Sequence, residues 1–138
     1  MLFPSKLEVL DSSKVIALSE TDFTCTTFCD MIEITLLHEL FHVWHDQIIG
    51  FDDHRVIKGY NRAKKSGKYA SVYHLNGKKV KHYAMSNPME YFAEMSEAYF
   101  LVNDYYPFVR VELQQSDPES YALIKSIWTE ATGIAATK

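Results

Sequence analysis

From Thr35 to His45 the chain reads Thr-Leu-Leu-His-Glu-Leu-Phe-His-Val-Trp-His. His38 and His42 are four residues apart, so on a helix they lie one turn above each other and can share one metal ion, with Glu39 projecting alongside. This HExxH spacing is a zinc-hydrolase signal, since imidazole nitrogen is a common zinc donor. The competing expectation is a pair of neutral, hydrogen-bonded core histidines. For one histidine it would be preferred; for HExxH on an apolar helix the metal reading is the stronger.

A catalytic zinc takes three protein ligands and leaves one position for water. The longer HExxHxxGxxH pattern is excluded, because His45 stands at its glycine position and Ile48 at its last ligand position. His45 is also a poor third ligand, since three side chains spread over two turns of one straight helix do not converge on bonds of about 2 Å. The third ligand is therefore expected from a later helix. From His54 to Met89 there is no Asp or Glu, and Glu90, Glu94 and Glu97 follow at i, i+4 and i+7. Such an acidic stripe, with no Lys or Arg at helical spacing, calls for a cationic partner. A solvated helix edge is a viable alternative for Glu97, less so for Glu90 and Glu94, which sit among aromatics. Spacing leaves two assignments open: Glu90 as ligand, with Glu94 hydrogen-bonding a ligand histidine and fixing its tautomer, or the reverse.

The elements that must position these residues can be read in outline. Lys6 to Leu10 and Lys14 to Ser19 are short strand-like runs, and 21–27 reads as loop or irregular strand. Asp30 is expected to cap a helix, with Glu33 completing a capping box, and that helix runs to about Ile49 and stops at Gly50. Phe51 to Lys58 is turn-like, and a short helix is expected near Val56 to Ser66. Tyr69 to Leu75 and Lys79 to Ala84 flank Asn76-Gly77, a strong signal for a tight hairpin. Asn87 caps and Pro88 opens a second buried helix to about Val102. A turn over Asn103 to Pro107, a short helix from Phe108 to Gln115 and a terminal helix from Ser116-Asp117-Pro118-Glu119 to about Thr129 complete the chain, with Ile134 to Lys138 as frayed tail.

At 138 residues, 47% hydrophobic and 14% aromatic, the chain is long enough for one domain with a real core. A net charge of −4 without a polybasic tail gives no reason to expect nucleic acid or an anionic membrane as partner. Nine of the fourteen Lys and Arg nonetheless fall between Arg55 and Lys81. They could steer an acidic substrate, but a solvated face is the commoner meaning of such a run. The start lacks the pattern of a secretory signal and no segment approaches a membrane-spanning length, so a soluble, by default cytoplasmic, protein is expected. Cys25 and Cys29 are read as two buried free thiols rather than a bridge or half of another metal site.

The segment Tyr83-Ala-Met-Ser-Asn-Pro-Met-Glu-Tyr-Phe-Ala-Glu94, following His-Glu-Leu-Phe-His at this interval, resembles the zincin metallopeptidases of the anthrax lethal factor type and related small zinc metallopeptidases with NxxEYFAE-like segments. The resemblance spans roughly Leu36 to Trp128, about two thirds of the chain. It implies an α+β, zincin-like fold, in which a small twisted sheet and hairpin pack on the HExxH helix and a second helix bears a ligand. It makes His38, His42 and Glu90 the Zn2+ ligands, Glu39 the general base and Tyr83 the hydroxyl that stabilises the oxyanion, and it places Glu90 ahead of Glu94 as ligand. A peptide or protein substrate follows. The short region before the HExxH helix leaves little room for the edge strand that would hold an extended substrate. A non-catalytic, zinc-stabilised binding module, or a fragment derived from such a peptidase, is therefore the alternative, and a metal-free helical protein the third reading.

Overall fold

A computed structural model describes residues 28–133 of the chain. The expected strands at Lys6 to Leu10 and Lys14 to Ser19, the loop at 21–27, the side chains of Cys25 and Cys29 and the tail from Ile134 all lie outside the described residues.

The first helix, α1, spans Phe28–Trp44 and widens into a π-helical turn over His45–Ile49, closed where the Gly50 amide donates to the His45 carbonyl at 2.8 Å. Asp30 falls inside this helix rather than ahead of it, so the expected cap at Asp30 is not the start of α1. Gly50 ends the turn at φ +83°, where a Cβ would also meet Asp52 Oδ1 at 2.7 Å. The next helix, α2 (His54–Ser66), begins earlier than its apolar pattern suggested. The Asp53 side chain accepts from the amides of Arg55 and Val56 and so satisfies its first free donors.

The hairpin is smaller than its sequence runs. Strands β1 (Val72–Tyr73) and β2 (Lys79–Val80) pair antiparallel with Val72 opposite Val80 and Tyr73 opposite Lys79. The His74 amide donates to the Lys78 carbonyl, leaving Leu75-Asn76-Gly77 as the loop with Gly77 at φ +82°. This is a longer loop than the tight Asn-Gly turn expected, with glycine in the left-handed position such loops require. On its other side β1 is tied to the segment at Asp104 to Tyr106: the Tyr106 amide donates to the Tyr73 carbonyl at 2.8 Å and the Leu75 amide to the Asp104 carbonyl at 2.9 Å.

A 3-10 turn over Tyr83–Met85 leads into α3 (Pro88–Phe100), followed by α4 (Arg110–Ser116) and α5 (Pro118–Thr132). The fold is thus α+β, with five helices and a two-stranded antiparallel sheet among the described residues. Among those residues α1 packs mainly on α3, while the strands expected before the HExxH helix lie outside them. Hydrophobic burial explains the pairing. Phe41 and Trp44 of α1 meet Phe92 of α3 and Trp128 of α5, with Trp44 and Trp128 ring centroids 4.3 Å apart.

Part of the basic run is structural rather than solvated. Arg62 of α2 bridges to Asp117 at 3.1 Å and Glu119 at 2.7 Å, and Arg55 reaches Glu130 at 2.6 Å, so both arginines clamp α2 to α5. Asp117 is buried and also accepts from Tyr69 Oη at 2.7 Å. No helix among the described residues is long and apolar enough to cross a membrane.

Candidate metal centre

The packing of α1 on α3 carries the acidic stripe to the HExxH histidines. Asn87 caps α3 by accepting from the Glu90 amide at 2.8 Å, which sets Glu90 in the first turn. There Glu90 Oε2 lies 2.9 Å from His38 Nε2 and 3.3 Å from His42 Nε2, and the two nitrogens are 3.0 Å apart. Donors about 2.0–2.1 Å from a tetrahedral ion stand roughly 3.3 Å from one another, so these three atoms have the dimensions of one face of a zinc coordination shell. The group of ligating atoms that contains both histidines includes Glu90. A second group joins His38 to Glu94 and Glu97 and leaves His42 out.

The other nitrogen of His38 faces those two acids. Nδ1 is 3.0 Å from Glu97 Oε1 and 3.6 Å from Glu94 Oε1. Glu94, expected to hydrogen-bond a ligand histidine, is therefore the more distant of the two, and Glu97 makes the hydrogen bond. Nor is Glu97 a solvated edge: it is 4% exposed, as is Glu94, and among the described residues neither pairs with Lys or Arg. The signal for Glu97 was present in its i+7 spacing from Glu90; what the sequence lacks is the rotation of α3, which turns that position inward.

The protonation pattern is that of a site that could hold a cation. Nδ1 must donate to the Glu97 carboxylate, so a neutral His38 presents a lone pair at Nε2 directly to the Glu90 carboxylate. Two acceptors at 2.9 Å need a proton or a metal ion between them. With protons alone, burial draws the His38 pKa down, but the Glu97 hydrogen bond and the charges of Glu97, Glu94 and Glu90 overcome it and raise the value to about 9. Burial, reinforced by the charge of Glu97, pushes Glu94 up to about 8. Burial likewise raises Glu97, against the opposing pull of His38.

Tyr83 and Glu39 complete the surface. Tyr83 is 47% exposed on the 3-10 turn, and the charge of Glu90, with smaller effects from Glu94 and Glu39, pushes its phenol upward, so these groups share one electrostatic neighbourhood. Glu39 is exposed on α1. The turn is held by His82, a residue that sequence reasoning missed: its Nδ1 accepts from the Ala84 amide at 3.0 Å. His82 is buried against Tyr69 and Tyr105, and burial takes its pKa down to about 3. No motif marks such a histidine, because its role depends on the turn that follows it.

His45 belongs to neither group of ligating atoms. Its ring is buried between Phe51 and Phe92, and among the described residues neither ring nitrogen has a hydrogen-bond partner.

The arrangement can hold one divalent cation through two imidazoles and a carboxylate, beside an exposed glutamate and an exposed phenol. Comparison with protein-family models, curated proteins and solved structures finds no match for the chain.

Proposed function

We propose that the chain is a zinc-dependent metallopeptidase of zincin type, hydrolysing peptide bonds. The observation that supports this most directly is the mutual spacing of 2.9–3.3 Å among His38 Nε2, His42 Nε2 and Glu90 Oε2, brought together from two helices. These donors suit zinc, being two imidazoles and one carboxylate on partly exposed residues. Bound zinc would supply Lewis acidity and a water acidic enough to ionise near neutral pH.

The other roles belong to the protein's own residues. Glu39, exposed next to His38, takes the proton of the attacking water and passes it to the departing amine. Tyr83 donates its phenolic hydrogen to the oxygen that gains charge as the scissile carbonyl becomes tetrahedral. A phenol of ordinary acidity holds that hydrogen at neutral pH. Glu97 and Glu94 keep negative charge or hydrogen-bond acceptors behind His38.

Peptide-library digestion with and without a chelator tests the reading. Cleavage that is lost on chelation and restored by zinc supports it; zinc uptake without cleavage of any library member supports a zinc-stabilised, non-catalytic module instead. One observation favours a metal-free state: a protonated His38 is already paired with Glu90 on one nitrogen and Glu97 on the other. In that case a chelator leaves the melting temperature unchanged.

A further inference from the structure

We infer that Glu97 is the positioning residue of the centre: its carboxylate holds His38 Nδ1–H and thereby turns the lone pair of Nε2 toward His42 and Glu90. The inference rests on the zinc reading above and deepens it.

His38 is the hinge of the arrangement, because both of its nitrogens are engaged. Nε2 faces the ligand atoms of His42 and Glu90 at 3.0 and 2.9 Å. Nδ1 has two carboxylates in view, and distance separates them: Glu97 Oε1 at 3.0 Å is a hydrogen bond, while Glu94 Oε1 at 3.6 Å is beyond that range. A carboxylate only accepts, so the hydrogen must sit on Nδ1. When an ion displaces the Nε2 proton, the hydrogen held on Nδ1 by Glu97 leaves the tautomer that binds metal through Nε2. Glu97 makes no other side-chain hydrogen bond among the described residues, so this contact is what its buried carboxylate does.

The position also explains why one turn of α3 carries two buried acids. Glu94 Oε2 lies 3.9 Å from His82 Nδ1 and has no hydrogen-bond partner among the described residues. Glu94 thus lies between His38 and the base of the Tyr83 turn without bonding to either, while Glu97 makes the hydrogen bond to His38. Outer partners of metal-bound histidines raise ligand basicity and fix the ring, and their loss typically weakens metal binding about 10–100-fold.

Zinc affinity by chelator competition, together with the proton spectrum of the His38 ring in the zinc-loaded chain, tests the assignment. Glu97→Leu is expected to weaken zinc about 10–100-fold and to move the His38 Nδ1 proton upfield, because the charged acceptor is gone. Glu97→Gln, which keeps an uncharged acceptor of the same shape, should recover part of the affinity and guards against a folding defect in the leucine variant. Glu94→Gln should leave the Nδ1 proton where it is. Unchanged affinity and an unchanged Nδ1 signal in both Glu97 variants, or loss of both on Glu94→Gln alone, would overturn the inference while leaving the zinc site intact. A wild-type chain that takes up no zinc overturns the inference together with the reading it rests on.

Discussion

His38 Nε2 and Glu90 Oε2 stand 2.9 Å apart across 52 residues of chain. The contact exists because α1 packs on α3, and buried aromatic side chains of both helices secure that packing together with Trp128 of α5. Phe41 and Trp44 on α1, Phe92 on α3 and Trp128 on α5 form one buried cluster. The geometry of the centre is in this sense a product of the core.

Truncation of Trp128 should therefore loosen the whole assembly. Its ring touches Phe41, Trp44, Phe92 and Phe100, and its Nε1 donates to Ser96 Oγ at 3.0 Å. Trp128→Ala is expected to cost about 3–5 kcal/mol, read from denaturant unfolding. A loss below about 1 kcal/mol would show that the cluster is not the core of the domain.

The ligand and the base separate by metal content. Glu90→Ala should lose zinc, because two histidines alone leave the ion without its third protein donor. Glu39→Gln should keep zinc and abolish peptide cleavage, since the amide cannot take the proton. Full zinc occupancy in purified Glu90→Ala would remove Glu90 from the ligand set.

Tyr83 offers a test of transition-state stabilisation alone. It is half exposed and outside the ligand set, so Tyr83→Phe should retain zinc and fold normally. Turnover should fall about 100–1,000-fold, the usual effect of deleting one oxyanion donor. Steady-state kinetics check this; a variant as fast as the parent would assign the oxyanion to another donor.

How much of this was legible beforehand differs from residue to residue. The HExxH helix, the Asn87 cap, Pro88 at the first position of α3 and the Glu90 stripe are local patterns, and local patterns survive into the structure because neighbouring residues enforce them. The start of α2 was misplaced because the Asp53 cap, an interaction of one side chain with two amides, outweighed the apolar period. The second edge of the first hairpin strand bonds to the segment at Asp104 and Tyr106, a long-range pairing that no local pattern contains. Glu97 was underrated for a related reason: whether an i+7 acid faces water or a histidine depends on how α3 is rotated against α1, and no spacing within α3 contains that information.

Stability should depend on pH through histidines outside the ligand set. Burial lowers His45 to about 4, with Asp53 opposing, and burial lowers His82 to about 3. Unfolded, both titrate near pH 6.5. Between about pH 6.5 and those lower values the unfolded chain binds more protons than the folded one, so the unfolding free energy falls as pH falls. Above that window both states are neutral and the two residues add no slope. Glu94, held up to about 8, contributes a slope of the opposite sign over this range, so the two chains are compared: between pH 8 and pH 5 the denaturant midpoint of His45→Leu should gain on that of the parent below about pH 6.5. The same slope in parent and variant would mean that His45 is solvated in the folded protein.

The central claim is that zinc is held by His38, His42 and Glu90. X-ray absorption at the zinc edge of the fully loaded chain reads the donor atoms directly. The account predicts one zinc per chain, bound by two imidazole nitrogens and oxygen at about 2.0–2.1 Å with no sulfur in the shell. A shell containing sulfur, which would move the ion to Cys25 and Cys29, or a chain that takes up no zinc at all, would contradict it.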